Sequence, residues 1–163
     1  MSDALIQWLK STSVSHVMTM TPYAWPICEM LHFIGLALLV GGAGVIDLRL
    51  MGFLRSVPVA AVMQLRKWAM LGVLLNVVTG TLFFIGSPEQ YTSNTAWYFK
   101  LLFLFVAFAN VAIFETTQSR RLLTLPAGER TPISFKLAGA VSMGAWFLVL
   151  YFGRMLPFIG NAF

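Results

Sequence analysis

Charge is what this chain has least of. Asp, Glu, Lys and Arg make up 10% of its 163 residues, where ordinary soluble domains carry roughly 25%, and that shortage argues against a water-soluble globule. Cysteine is limited to Cys28, so no intrachain disulfide can form and pairing says nothing about redox compartment. Histidine occurs only at His16 and His32, which bounds any imidazole-based site. The chain carries no glycine-rich phosphate loop, nucleophile elbow or zincin motif. It also lacks internal repeats, low-complexity tracts and any linker long enough to separate two domains. The opening MSDALIQWLK has the acidic Asp3, a short apolar run and no small-residue cleavage pattern, so a cleavable signal peptide is not expected and the first span is expected to act as its own insertion signal.

Apolar residues fill the remainder, at 58% of the chain. They concentrate in four stretches, roughly residues 23–46, 68–86, 97–117 and 137–157, each about the ~20 residues an α-helix needs to cross the hydrocarbon core of a bilayer. The fold class predicted is all-α: an integral membrane four-helix bundle forming one transmembrane domain over residues 1–163. Residues 4–20 set Leu5, Ile6, Trp8 and Leu9 against Ser and Thr, the pattern of an interfacial amphipathic helix. Pro22 and Pro26 mark the entry to the first span, and Pro58 is expected to start a further helix ahead of the second. Gly72, Asn76, Thr79 and Gly80 recur at spacings of three and four, so they share a face expected to look into the bundle. Ala138, Gly139, Ser142 and Ala145 do the same in the fourth span.

The net charge of +5 does not point to nucleic acid, because the basic residues flank the apolar stretches instead of forming a stripe with interleaved aromatics. They read as topology signals. Arg49, Arg55, Arg66 and Lys67 fall in one loop region and Arg120, Arg121, Arg130 and Lys136 in another, and retention of positive loops in the cytoplasm places both there. Both termini and the short 87–96 loop then face the opposite side, which in a bacterial inner membrane is the periplasm. Tyr23, Trp25, Tyr91, Trp97, Tyr98 and Tyr151 gather near that side as an aromatic belt.

An ionisable side chain inside a span costs on the order of 3 kcal/mol or more, so each one raises a question. Glu29 and His32 are three apart in the first span and lie on one helix face, with Cys28 four residues before His32. A carboxylate, an imidazole and a thiol at these offsets form a candidate metal site, and thiol with imidazole favours copper or zinc over magnesium or calcium. His16, Met18 and Met20 add an imidazole and two thioethers on the same side of the membrane. The alternative is a structural Glu29–His32 pair closed by Lys100 or Arg154, which lie at similar depth. Those two cations would equally serve a haem propionate or a quinone-like headgroup. With two histidines, a bis-histidine haem b needs the amphipathic segment to fold over the bundle, ligation shared between subunits, or His32 paired with Met18 or Met20. Asp47 with Arg49, and Glu115 with Arg120 or Arg121, are expected to form interfacial ion pairs. Asn76 and Asn110 are expected to hydrogen-bond between helices.

The run from Trp25-Pro26-Ile27-Cys28-Glu29-Met30-Leu31-His32 through Val40-Gly41, continued by Asp47-Leu48-Arg49-Leu50-Met51-Gly52, resembles the hallmark of a family of small, uncharacterised bacterial four-helix inner-membrane proteins. Thr79-Gly80, Leu82-Phe83, Pro88, Tyr91, Asn94, Lys100 and Gly153-Arg154 extend the likeness over most of the chain. More distantly, Leu31-His32 followed by Val40-Gly41-Gly42 is similar to the opening of the CopD copper-resistance membrane domain, and the general plan echoes b-type cytochrome bundles. The family likeness implies architecture more than mechanism. The function expected is a copper site in a redox or metal-handling role. A haem- or quinone-linked electron-transfer anchor and a structural or assembly subunit without cofactor are the alternatives. The expected partners are the bilayer and either a second copy, through glycine-rich faces, or another membrane or periplasmic protein.

Overall fold

The computed structural model describes residues 3–159. Among them are two short helices, α1 (Asp3–Lys10) and α2 (Ser13–Met20), and then α3 (Ala24–Met51), α4 (Val59–Met63), α5 (Arg66–Gly86), α6 (Pro88–Thr92), α7 (Thr95–Thr117), α8 (Ser119–Leu123) and α9 (Ile133–Met155). Four helices are long and apolar enough to cross a membrane, those of α3, of α4 continued into α5, of α7 and of α9. The chain is an all-α integral membrane bundle. α1, α2, α6 and the end of α9 lie at one end, the terminal face; the 52–65 and 118–132 segments lie at the other, the loop face.

Local chemistry sets the helix boundaries. The N-terminal amphipathic segment breaks in two where Thr12 caps α2, its hydroxyl accepting from Ser15 N at 3.2 Å. Tyr23 takes a left-handed φ of 67°, a conformation a bulky residue adopts only under constraint, and it turns the chain from α2 into α3. The charged Asp47 and Arg49 do not end α3. The helix runs on to Met51 and stops at Gly52, whose φ of 94° lets its N–H reach the carbonyls of Arg49 and Leu48, as a left-handed glycine cap does. Asn94 begins α7: its side-chain oxygen accepts from Ala96 N at 2.9 Å while its amide donates to Leu156 O at 2.7 Å, tying the terminal-face ends of α7 and α9 together.

In lipid no hydrophobic force draws helices together, so close approach at small residues carries the packing. α3 packs on α5 and on α9, and α9 packs on α7. A β-carbon on Gly72 would lie 2.5 Å from Leu39 N and 2.6 Å from Gly35 O, and one on Gly139 would lie 2.8 Å from Asp47 O. A β-carbon on Gly42 would be tight but less so, 3.1 Å from Ala69 and Leu65, while one on Gly41 or Gly44 would meet nothing within 4 Å. The α7–α9 seam holds Phe152 stacked between Phe99 and Phe103, at 5.0 and 5.7 Å, and Asn110 donating to Ala138 O at 3.0 Å. α5 and α7 are bridged at their ends, by the Phe84–Trp97 stack (5.8 Å) and by the Arg66–Glu115 ion pair (2.9 Å). Leu39, Ala69, Ala107, Ala145, Trp146 and Val149 form the central core. Outside it, Phe33, Met70, Leu74, Phe105 and Phe147 are exposed, as lipid-facing side chains should be.

Two expectations need correction at the loop face. Glu115 pairs with Arg66 of α5 rather than with Arg120 or Arg121. Asp47 and Arg49 do not pair with each other; both are buried within α3, and residues two apart point to different sides of a helix. Asn76 also differs from expectation, because its amide donates to Gly72 O of its own helix at 2.8 Å.

Candidate functional site

Thr79 organises the terminal-face half of the α3–α5 seam. It is 2% exposed, and its hydroxyl lies 2.6 Å from Leu75 O one turn back and 2.7 Å from Nδ1 of His32. A hydroxyl has one proton. The Leu75 carbonyl can only accept, so Thr79 donates there and its oxygen accepts from the His32 ring. His32 is therefore the Nδ1–H tautomer, with the Nε2 lone pair left free to accept a proton or bind a metal. The same threonine meets Cys28, whose Sγ–H donates to Thr79 O at 3.6 Å. Cys28 and His32, one turn apart, are thus held by a single residue of the neighbouring helix.

Aromatic rings wall this pair. The His32 ring sits edge-on to Phe83 at 5.6 Å, and Phe83 packs on Trp25 at 4.8 Å. Gly80 leaves room beside the imidazole, since a β-carbon there would lie 3.9 Å from His32 Cε1. Lys100 of α7 is half-buried and within electrostatic reach of His32. Its ammonium stands 5.8 Å over the Trp97 ring, and a β-carbon on Gly153 would approach it to 3.5 Å. Beyond the spans, Tyr91 of α6 is buried against Trp97 at 4.9 Å. Burial pushes its phenol up to about 12, helped by the nearby Cys28 and Glu29.

The other sequence-derived residues are spread around the rim. Met18 is buried, packing with Trp25 over Gly86, so α2 does fold across the bundle end. His16 and Met20 on the same helix are exposed. Glu29 is exposed too, lining a shallow groove on α3 with Pro26, Met30, Phe33, Ile34 and Ala37. Arg154 is exposed and stands over Phe158 at 5.7 Å. Neither it nor Lys100 pairs with Glu29; the ion pairs among the described residues are Lys10–Glu89 at 3.1 Å and Arg66–Glu115. No group of three or more His, Cys, Asp and Glu side chains converges among the described residues. The role of Thr79 was hidden in the sequence. It stood out there as a small polar residue on an inward face, with nothing to mark it as the anchor of His32.

Comparison of the chain with family models, with curated proteins and with solved structures finds no match.

Proposed function

We propose that this protein holds a copper ion at its terminal face in a redox or metal-handling role, with Nε2 of His32 and the sulfur of Cys28 as its donors. One observation carries the reading: the His32 Nδ1–Thr79 Oγ1 hydrogen bond. A metal-binding histidine nearly always donates its other ring N–H to a fixed acceptor, which sets both tautomer and ring orientation. The donor chemistry fits a soft ion, because imidazole and thiol select copper or zinc. Glu29, His16, Met18 and Met20 stand at the rim, where a second copy of the chain would bring a second set. The distant likeness to the copper-resistance membrane domain, in Leu31-His32 and Val40-Gly41-Gly42, is in keeping with this reading.

Haem b is the second reading, and Lys100 favours it: an ammonium near His32 with no carboxylate partner among the described residues suits a propionate. Against it, a macrocycle needs a slot beside the ring, and Phe83 already packs there. By the distribution of Lys and Arg, the loop face is cytoplasmic and the terminal face, with both termini, is periplasmic in a bacterial inner membrane.

Elemental analysis and a visible spectrum of protein purified in mild detergent test the proposal. Copper bound near one ion per chain, and lost in His32→Ala, is the expected result. A Soret band would replace copper by haem. Neither signal after copper loading would overturn both readings and leave a structural or assembly subunit.

A further inference from the structure

The loop face contains buried polar groups that a site at the opposite end leaves unused. Arg49 is 1% exposed. Its Nε donates to Val57 O at 2.9 Å, yet neither terminal NH2 group meets an acceptor among the described residues. Thr131 is 5% exposed, and its hydroxyl also lacks a partner among them. Covered, unpaired polar groups are costly, a guanidinium above all, and such groups at one membrane face call for a ligand.

At Gly52, Thr131 comes beside two exposed basic residues. A β-carbon built on Gly52 would lie 3.5 Å from Thr131 Oγ1, 3.7 Å from Lys136 Cε and 3.8 Å from Arg55 Nε. Arg55 Nε donates to Gly52 O at 2.9 Å, and Arg55 O accepts from Gly128 N at 2.8 Å, so the two loops are locked together at this point. Thr131 and Pro132 lead into α9, whose first-turn N–H groups carry the positive end of a 23-residue helix and favour an anion. The acidic side chains of this face stand away from that point: Glu115 is paired with Arg66, Glu129 lies exposed in the 124–132 segment, and Asp47 is buried in α3 where Gly139 of α9 packs on it, its Oδ2 without a hydrogen-bond partner among the described residues.

We propose that Arg55, Thr131, Lys136 and the first turn of α9 form a seat for a phosphate group, supplied by an anionic phospholipid of the leaflet at the loop face. Arg49 is a positioning residue: it holds the 52–57 loop through Val57. The seat lies at the ends of α3 and α9, at headgroup depth, where basic pockets between membrane helices take anionic headgroups. Guanidinium and ammonium groups beside a hydroxyl match phosphate oxygens, and the guanidinium does so with two parallel donors.

Native mass spectrometry of the full-length protein in detergent, titrated with phosphatidylglycerol, phosphatidylcholine or inorganic phosphate, tests this independently of any copper. One phosphatidylglycerol is expected to be retained in preference to phosphatidylcholine. In Arg55→Gln/Lys136→Gln its affinity should fall about 25-fold, about fivefold per charge removed. Both residues are exposed and the Gly128 N–Arg55 O bond that joins the loops is made by backbone alone, so that variant should fold despite losing the Arg55 Nε–Gly52 O bond, as its helical circular dichroism would verify; Thr131→Val, which alters no charge, should weaken binding several-fold. Equal retention of the two lipids, or unchanged affinity in both variants, overturns the proposal. Inorganic phosphate displacing phosphatidylglycerol at comparable concentration would assign the seat to a soluble anion and overturn the lipid source.

Discussion

His32 and Thr79, 47 positions apart in sequence, meet through a 2.7 Å hydrogen bond between Nδ1 and Oγ1, and Thr79's own donation to Leu75 O dictates which ring nitrogen carries the proton. Replacing the hydroxyl by a methyl group in Thr79→Val frees the ring to rotate and to change tautomer. Under the proposed copper reading, affinity should fall by ~10–100-fold, as it does when the outer partner of a ligand histidine is removed, while stability changes by only about 1 kcal/mol. Competitive titration with a copper(I) chelator measures the first and detergent unfolding the second. Undiminished affinity would remove His32 from the metal site.

The glycines of α3 and α5 should divide sharply. In Gly72→Ala the new methyl group collides with backbone atoms of Leu39 and Gly35 at 2.5 and 2.6 Å, and backbone yields only by parting the helices. A loss of ~1–3 kcal/mol is expected, as for overpacking generally. Gly44→Ala, with nothing within 4 Å, should stay within about 0.5 kcal/mol of the parent. Denaturant midpoints in one detergent compare the two.

Tyr91 links stability to alkaline pH. Its phenol is raised to about 12 in the fold, chiefly by burial, from about 10 in an unfolded chain. The folded state therefore holds the proton longer. The associated stability is complete below pH about 10 and drains away as pH rises through about 12. Helical signal followed between these limits should decline less in Tyr91→Phe than in the parent chain. Parallel declines would mean that the phenol is not sheltered.

Topology is testable because Cys28 is the only cysteine. On a Cys28→Ser background, Ser93→Cys at the terminal face and Ser56→Cys at the loop face introduce single thiols at exposed positions. A membrane-impermeant maleimide added to intact cells should label the first and spare the second. The reverse pattern would invert the orientation.

What the amino-acid order determined was the membrane architecture. Runs of about 20 apolar residues have no alternative in lipid to satisfying their backbone groups within a helix, so four spans, their approximate limits and an amphipathic leader were legible directly. Small residues marked contact faces in α5 and α9, and Gly72, Thr79, Gly139, Ser142 and Ala145 are buried as that pattern implied. The ends were less legible: Asp47 and Arg49 suggested that α3 stops before it does, whereas Gly52 sets the stop by adopting a left-handed φ. Which groups meet was decided by tertiary structure alone. Helices that are apolar on every side present no polar stripe to fix their rotation, and neighbouring helices set it instead. Hence Gly42 packs while Gly41 does not, Glu115 reaches Arg66 across to α5, and His32 turns to Thr79 while Glu29, three residues earlier, is left on the outer rim.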